Sequence, residues 1–187
     1  MNEVIVFASV SVDGYAAGAD DDLTRLHRWM TDSEATRASG EDPFVAAFRA
    51  AGVVVFGRRT YDLGQEPWGD EDVFEAPVVV VTHEARPPLS KNGTIFTFAG
   101  GPPAVILDTA RGCTRDPDGD VVIMGSPTVA QQFLNAGLVT TLLLHQVPVL
   151  LGGGVPLFGS LPRPIELTPT LLNLAAGVSR TGFTVAR

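Results

Sequence analysis

The chain has 187 residues, a length that fits one domain of ordinary size. Hydrophobic residues make up 45% and charged residues 18%, enough apolar material for a full core and too little charge for a disordered chain. The formal net charge of −8, with no basic stripe, speaks against a nucleic-acid surface, and no apolar run reaches the roughly 18 residues of a membrane span.

The N-terminus, Met1-Asn2-Glu3-Val4, lacks a basic region followed by a long apolar stretch, so it does not read as a signal peptide. Cys113 is the one cysteine, which rules out an internal disulfide and a cysteine zinc site and suits a reducing cytoplasm. His27, His83 and His145 lack a paired-ligand spacing, and no metal site is expected.

In chain order, residues 4–10 are apolar on both faces, as in a buried central strand. Residues 11–22 form a loop rich in Gly, Ala and Asp, and 23–30 a short helix with Asp22 or Asp21 as its N-cap. Asp42-Pro43 starts a helix with Phe44, Val45, Phe48 and Ala51 on its apolar face. Residues 53–56 are a second strand, followed by Gly57-Arg58-Arg59-Thr60-Tyr61. Residues 77–82, with Val78-Val79-Val80-Val81, are a third. Residues 94–98 are a fourth, with Thr94, Phe96 and Phe98 on one side, and Asn92-Gly93 before them reads as a turn. A helix spans 102–111 and a fifth strand 120–124. Ser126 and Pro127 begin another helix, whose apolar face is Val129, Phe133 and Leu134. Residues 142–147 are a sixth strand, and 165–187 hold two more, joined at Ala176-Gly177.

Alternating strands and helices predict an α/β fold in three layers: a mainly parallel twisted sheet with flanking helices. The last two strands have no helix between them, so the C-terminal edge should be antiparallel. No internal repeat or linker divides the chain, and residues 1–187 read as one domain.

In such sheets ligands bind beyond the carboxyl ends of the strands. Three places there carry suitable chemistry. Gly57-Arg58-Arg59-Thr60 offers close backbone approach, charged forks and a hydroxyl to phosphate, and reads equally well as a solvated turn. Thr82-His83 offers a hydroxyl and an imidazole, although a lone His after a strand is more often a surface residue. Gly125-Ser126-Pro127-Thr128 is a short glycine turn into a helix N-terminus, although such a turn is more often an ordinary one with a Ser cap. Neither a G-x-G-x-x-G fingerprint nor a P-loop is present. Gly152-Gly153-Gly154 reads as a tight loop.

Four segments together resemble the dihydrofolate reductase superfamily, and within it the reductase domain of the riboflavin-biosynthesis deaminase–reductase and its stand-alone bacterial relatives. They are 10–18, with Asp13-Gly14; 55–61, with Gly57-Arg58-Arg59-Thr60-Tyr61; 121–134; and 137–158, with Gly152-Gly153-Gly154 and Pro156-Leu157-Phe158. The resemblance implies the dihydrofolate-reductase-like fold and an NADPH-dependent reductase of a small heterocyclic substrate, similar to 5-amino-6-(5-phosphoribosylamino)uracil reductase. The alternative is an NADPH-binding protein with a different substrate or a non-catalytic, regulatory role.

Carried over by position, Gly57, Arg58, Arg59 and Thr60 would hold phosphate at the adenosine end, with Thr82 and His83 near the 2′-phosphate and adenine. Gly125, Ser126, Thr128 and Val129 would meet the pyrophosphate, and Ser9, Ala16 and Ala17 the nicotinamide. Asp13 is either a turn former or the loop residue that closes this segment over the cofactor. It is the one candidate for the catalytic set, and the proton donor stays unnamed. Trp29 and Trp68 are candidates to flank the substrate, with core packing the alternative for each.

The family's double glycine, joined by a cis peptide in dihydrofolate reductases, is here Gly125-Ser126. Glu34, Glu41 and Asp42 lie near the place of the folate-orienting carboxylate, without a clear match. Relatives commonly form homodimers, and the apolar segment 141–158 is either the interface or an internal strand with its loop.

Overall fold

A computed structural model describes residues 3–31, 48–65, 74–159, 161–175 and 177–186. Trp68, Glu34, Glu41, Asp42 and most of the helix expected after Pro43 lie outside the described residues.

A nine-stranded sheet forms the centre. Its order is β10 (Leu167–Ala175), β11 (Val178–Val185), β8 (Thr141–Val147), β1 (Val4–Ser11), β7 (Asp120–Met124), β3 (Ala51–Gly57), β4 (Val78–Val81), β6 (Thr94–Ala99) and β5 (Leu89–Lys91). The six strands from β8 to β6 are parallel. β11 and β10 continue the sheet antiparallel beyond β8, and β5 adds an antiparallel strand at the other edge. The β5 edge was not anticipated. It is made by Asn92 (φ 48) and Gly93 (φ 76), a two-residue turn of positive φ that returns Thr94 opposite Lys91.

Alternation along the strands splits the core. Val4 and Val6, Val53 and Val55, and Val121 and Ile123 face two helices, α3 (Pro103–Cys113) and α4 (Pro127–Asn135). Their partners in that layer are Ile106, Leu107, Phe133 and Leu134. Ile5, Val54, Phe56 and Val122 face the other way, onto Phe74, Phe96 and Tyr61. On that side α1 (Thr24–Thr31) packs Leu26 and Trp29 on Val147 and Val178. Helix α2 (Arg58–Gly64) follows β3 directly.

Two expectations change. Ala51 does not lie on a helix face; it opens β3, where pairing with Asp120 takes its backbone into the sheet. The loop after β1 is structured: β2 (Tyr15–Ala17) pairs antiparallel with β9 (Val155–Pro156), and Ala19–Asp21 makes a 3-10 turn. Within segment 141–158, β8 is an internal strand, paired with β1 and with β11, and β9 pairs with β2 alone. Among the described residues no helix is long and apolar enough to cross a membrane.

Candidate functional site

The carboxyl ends of β1, β3, β4, β6 and β7 open on a cleft of about 920 Å³. That size suits a small molecule or cofactor. Two turns meet at its centre. Gly125 (φ 55) and Ser126 (φ 48, ψ 69) are both left-handed, and this turns Ser126 away from the helix it precedes. It makes no side-chain cap on α4. Its Oγ accepts the N–H of Gly57 at 2.9 Å and lies 2.7 Å from Thr60 Oγ1. The turn after β7 is thereby joined to the turn after β3. Among the described residues there is no cis peptide, so the 125–126 bond is trans.

The first amides of α4, at Thr128 and Val129, have no partner within the helix and border the cleft. Beyond β4, the Oγ1 of Thr82 accepts the N–H of Glu84 at 3.1 Å. Gly100, after β6, approaches so closely that a Cβ there would lie 2.5 Å from the Thr82 carbonyl oxygen. Glycine lets these two strand ends close together.

The cleft's two arginines are both engaged by carboxylates. Arg58 donates to Asp62 at 3.1 Å and pairs with Glu84; Arg59 pairs with Asp21 of the 3-10 turn. The Glu84 hydrogen bond holds the Arg58 guanidinium above its ordinary pKa. Glu84 is held below the usual carboxylate range by Arg86, then by Arg58.

The opposite wall is apolar and small. Ser9 of β1, Ala16 and Ala17 of β2 and Val155 of β9 line it. Asp13 fastens this wall from behind. Its Oδ1 accepts the Ser11 hydroxyl at 2.6 Å and the Leu151 N–H at 3.1 Å, and its Oδ2 accepts the Gly152 N–H at 2.7 Å. These donors, Ser11 foremost, lower the Asp13 pKa. Asp13 therefore stays ionised at neutral pH, and it does not border the cleft. Its geometry is that of a loop clamp.

From α1 the cleft receives His27, one turn after Leu23, whose carbonyl accepts the His27 N–H at 2.9 Å. Burial pushes the His27 imidazole pKa down. Trp29 looks elsewhere: it is buried, with its ring centroid 4.3 Å from that of His145, and it does not border the cleft.

Every residue singled out at the strand ends thus borders one cleft: Ser9, Ala16, Ala17, Gly57, Arg58, Arg59, Thr60, Thr82, His83, Gly125, Ser126, Thr128 and Val129. Asp13 and Trp29 do not. Asp21, Leu23, His27, Glu84, Gly100 and Gly101 border it without having been anticipated. Gly100-Gly101, a glycine pair directly after a strand, and Glu84, next to His83, carried a readable signal; Asp21, Leu23 and His27 reach the cleft only through tertiary contacts.

Among curated proteins none matches the sequence. Solved structures do match the fold. A protein from Shewanella sp. PV-4 assigned by name to riboflavin biosynthesis is 24% identical, with a TM-score of 0.78 over 99% of both chains. A pyrimidine reductase-like protein from Corynebacterium diphtheriae is 16% identical, with a TM-score of 0.68 over 100% of this chain and 92% of that one. The diaminohydroxyphosphoribosylaminopyrimidine deaminase/5-amino-6-(5-phosphoribosylamino)uracil reductase of Thermotoga maritima is 13% identical, with a TM-score of 0.67; this chain spans 57% of its length. The model of the RibD C-terminal domain matches residues 2–175, and the chain belongs to that family, within the dihydrofolate-reductase-like superfamily.

Proposed function

We propose that this chain is an NADPH-dependent reductase of a small heterocyclic substrate, similar to 5-amino-6-(5-phosphoribosylamino)uracil reductase. The observation that carries the reading is the polarity of the cleft. Arg58, the hydroxyls of Thr60 and Thr82 and the start of α4 border it at the ends of β3, β4 and β7, small and mostly apolar residues border it at β1, β2 and β9, and Arg59 reaches between them to Asp21. That division fits a dinucleotide with a charged and an uncharged half. The donor set also fits phosphate chemistry: guanidinium forks, hydroxyls and a helix N-terminus beside a left-handed glycine.

In this reading Thr128 and Val129 donate backbone N–H groups to the pyrophosphate, and Arg58, Arg59, Thr82 and His83 meet the adenosine phosphates. Ser9, Ala16 and Ala17 bound the nicotinamide and keep water from it. Bound NADPH supplies the hydride; the protein orients it and shapes the dry pocket. Leu23 and His27 of the α1 side face the space left for the substrate. A cytoplasmic location and a homodimer belong to the same proposal.

The test is a fluorescence titration of the purified protein with NADPH and NADH, repeated with Arg58→Ala and Thr82→Ala. NADPH binding that weakens in both variants is expected, followed by NADPH oxidation with a pyrimidine substrate of the riboflavin pathway. Absence of binding by either cofactor overturns the reading. Binding without oxidation by any pyrimidine or pterin favours a non-catalytic role.

A further inference from the structure

The charged side of the cleft contains a carboxylate as well as cations. Glu84 lies two residues beyond Thr82, whose hydroxyl accepts its N–H, so its backbone is fixed. Its carboxylate is gripped from two sides. Arg86 donates from both Nη2, at 2.7 Å, and Nε, at 3.1 Å, while its guanidinium sits 5.6 Å from the Phe98 ring centroid. Arg58 pairs with the other carboxylate oxygen. Glu84 and Arg58 border the cleft, so Glu84 occupies a cation that an incoming anion would use.

Sheet order says which part of a dinucleotide meets this pair. From β1 the strands run β7, β3, β4, β6. If the nicotinamide lies at β1 and the pyrophosphate at α4, just after β7, the adenosine half extends towards β4 and β6. There a ribose with a free 2′-hydroxyl can donate to a carboxylate, and a ribose 2′-phosphate calls for an arginine. This chain places both groups at that spot, bound to each other.

We propose that Glu84 is a specificity-determining residue: it competes with the ribose 2′-phosphate for Arg58 and so narrows the preference of the cleft for NADPH over NADH. The inference rests on the nicotinamide-cofactor reading given above. A free 2′-hydroxyl leaves the Arg58–Glu84 pair in place. A 2′-phosphate must displace the carboxylate or bind beside a like charge, the repulsive element that specificity often needs. Arg58 remains necessary, because it is the group both anions seek.

The experiment measures dissociation constants of the full chain for NADPH, NADH, adenosine 2′,5′-bisphosphate and 5′-AMP, in the wild type, Glu84→Gln and Glu84→Asp. The carboxylate is more than half exposed, so the shift is that of a partly screened charge. Glu84→Gln should tighten NADPH and the bisphosphate by about threefold to tenfold relative to NADH and 5′-AMP, a gap that narrows in high salt. Glu84→Asp should keep a ratio near that of the wild type. Cofactor binding with an unchanged NADPH-to-NADH ratio in Glu84→Gln, or an equal change for both, overturns this proposal and leaves the reductase reading intact. Failure of every variant to bind either dinucleotide overturns both.

Discussion

The hydroxyl of Ser126 accepts the backbone N–H of Gly57 at 2.9 Å, tying the turn after β7 to the turn after β3. The two residues stand 69 positions apart, and Thr60 Oγ1, at 2.7 Å, completes the bridge. Ser126 adopts φ 48 to make it, a conformation in which an L-residue carries about 1–2 kcal/mol of strain. A hydrogen bond to a part-buried N–H contributes about 1 kcal/mol, so strain and bridge are of similar size. Ser126→Gly removes both and should change stability little. Ser126→Ala keeps the strain and loses the bridge, and should cost about 1–2 kcal/mol in urea denaturation. A Ser126→Ala variant as stable as the wild type would show that the hydroxyl does not hold the turns together.

The strands that build this site were legible because burial leaves a plain mark. Val78 to Val81 and Val53 to Phe56 are apolar without alternation, as strands covered on both faces must be. Asn92-Gly93 was legible as a turn from its chemistry. β2, β5 and β9 have only three, three and two residues, too few to show a period. The pairing of Ala17 with Val155 depends on contacts some 140 positions away that no local pattern carries. Cleft residues at strand ends follow from the rule that ligands gather there. The α1 face does not follow from any local rule: its periodicity makes Leu26 and Trp29 one side and Leu23 and His27 another, but docking against β8 and β11 decides which side is core. Likewise, Ser126 reads locally as a helix cap, and only the approach of Gly57 gives its hydroxyl a better partner.

Asp13 joins the loop after β1 to the glycine run before β9, and its role is testable by pH. Its folded pKa is depressed, chiefly by the Ser11 hydroxyl and then the Gly152 N–H. A depressed carboxylate contributes stability that is complete above the unfolded value, about 3.9, and is lost as pH falls through the lower folded value. Wild-type stability should therefore fall more steeply than that of Asp13→Asn once pH drops below about 4. Asp13→Asn should also weaken cofactor binding modestly at neutral pH, through the loosened β2–β9 wall, without abolishing turnover. Complete loss of turnover with unchanged binding would instead make Asp13 part of the chemistry.

The homodimer proposal points to the β10 edge. Leu172 and Leu174 share one face of β10 and are 81% and 75% exposed. On β10, a strand at the end of the sheet, two such neighbours form an apolar patch that a second copy of the chain could cover by a symmetric contact. Light scattering after gel filtration should give a dimer mass for the wild type and a monomer for Leu172→Glu/Leu174→Glu. A monomeric wild type, or a double variant that stays dimeric, would remove this face from consideration.

Two glycines of the same loop should answer differently to the same substitution. Gly152 has φ 72 and open space where a Cβ would go. Gly152→Ala should therefore cost only the left-handed strain, about 1–2 kcal/mol. Gly154 has φ 128, and a Cβ there would fall 2.1 Å from the carbonyl oxygen of Ala17. Neither backbone can yield without disturbing the pairing of Ala17 with Val155. Gly154→Ala should cost about 3 kcal/mol or more, since strain and displacement add. Because Ala17 and Val155 both border the cleft, the damage should reach ligand affinity. Thermal melting and NADPH titration of the two variants, side by side, separate the effects. Gly152→Ala should melt slightly earlier and bind nearly as well, whereas Gly154→Ala should lose affinity even at temperatures where it remains folded. Equal binding by both variants would mean that the β2–β9 wall plays no part in holding the cofactor.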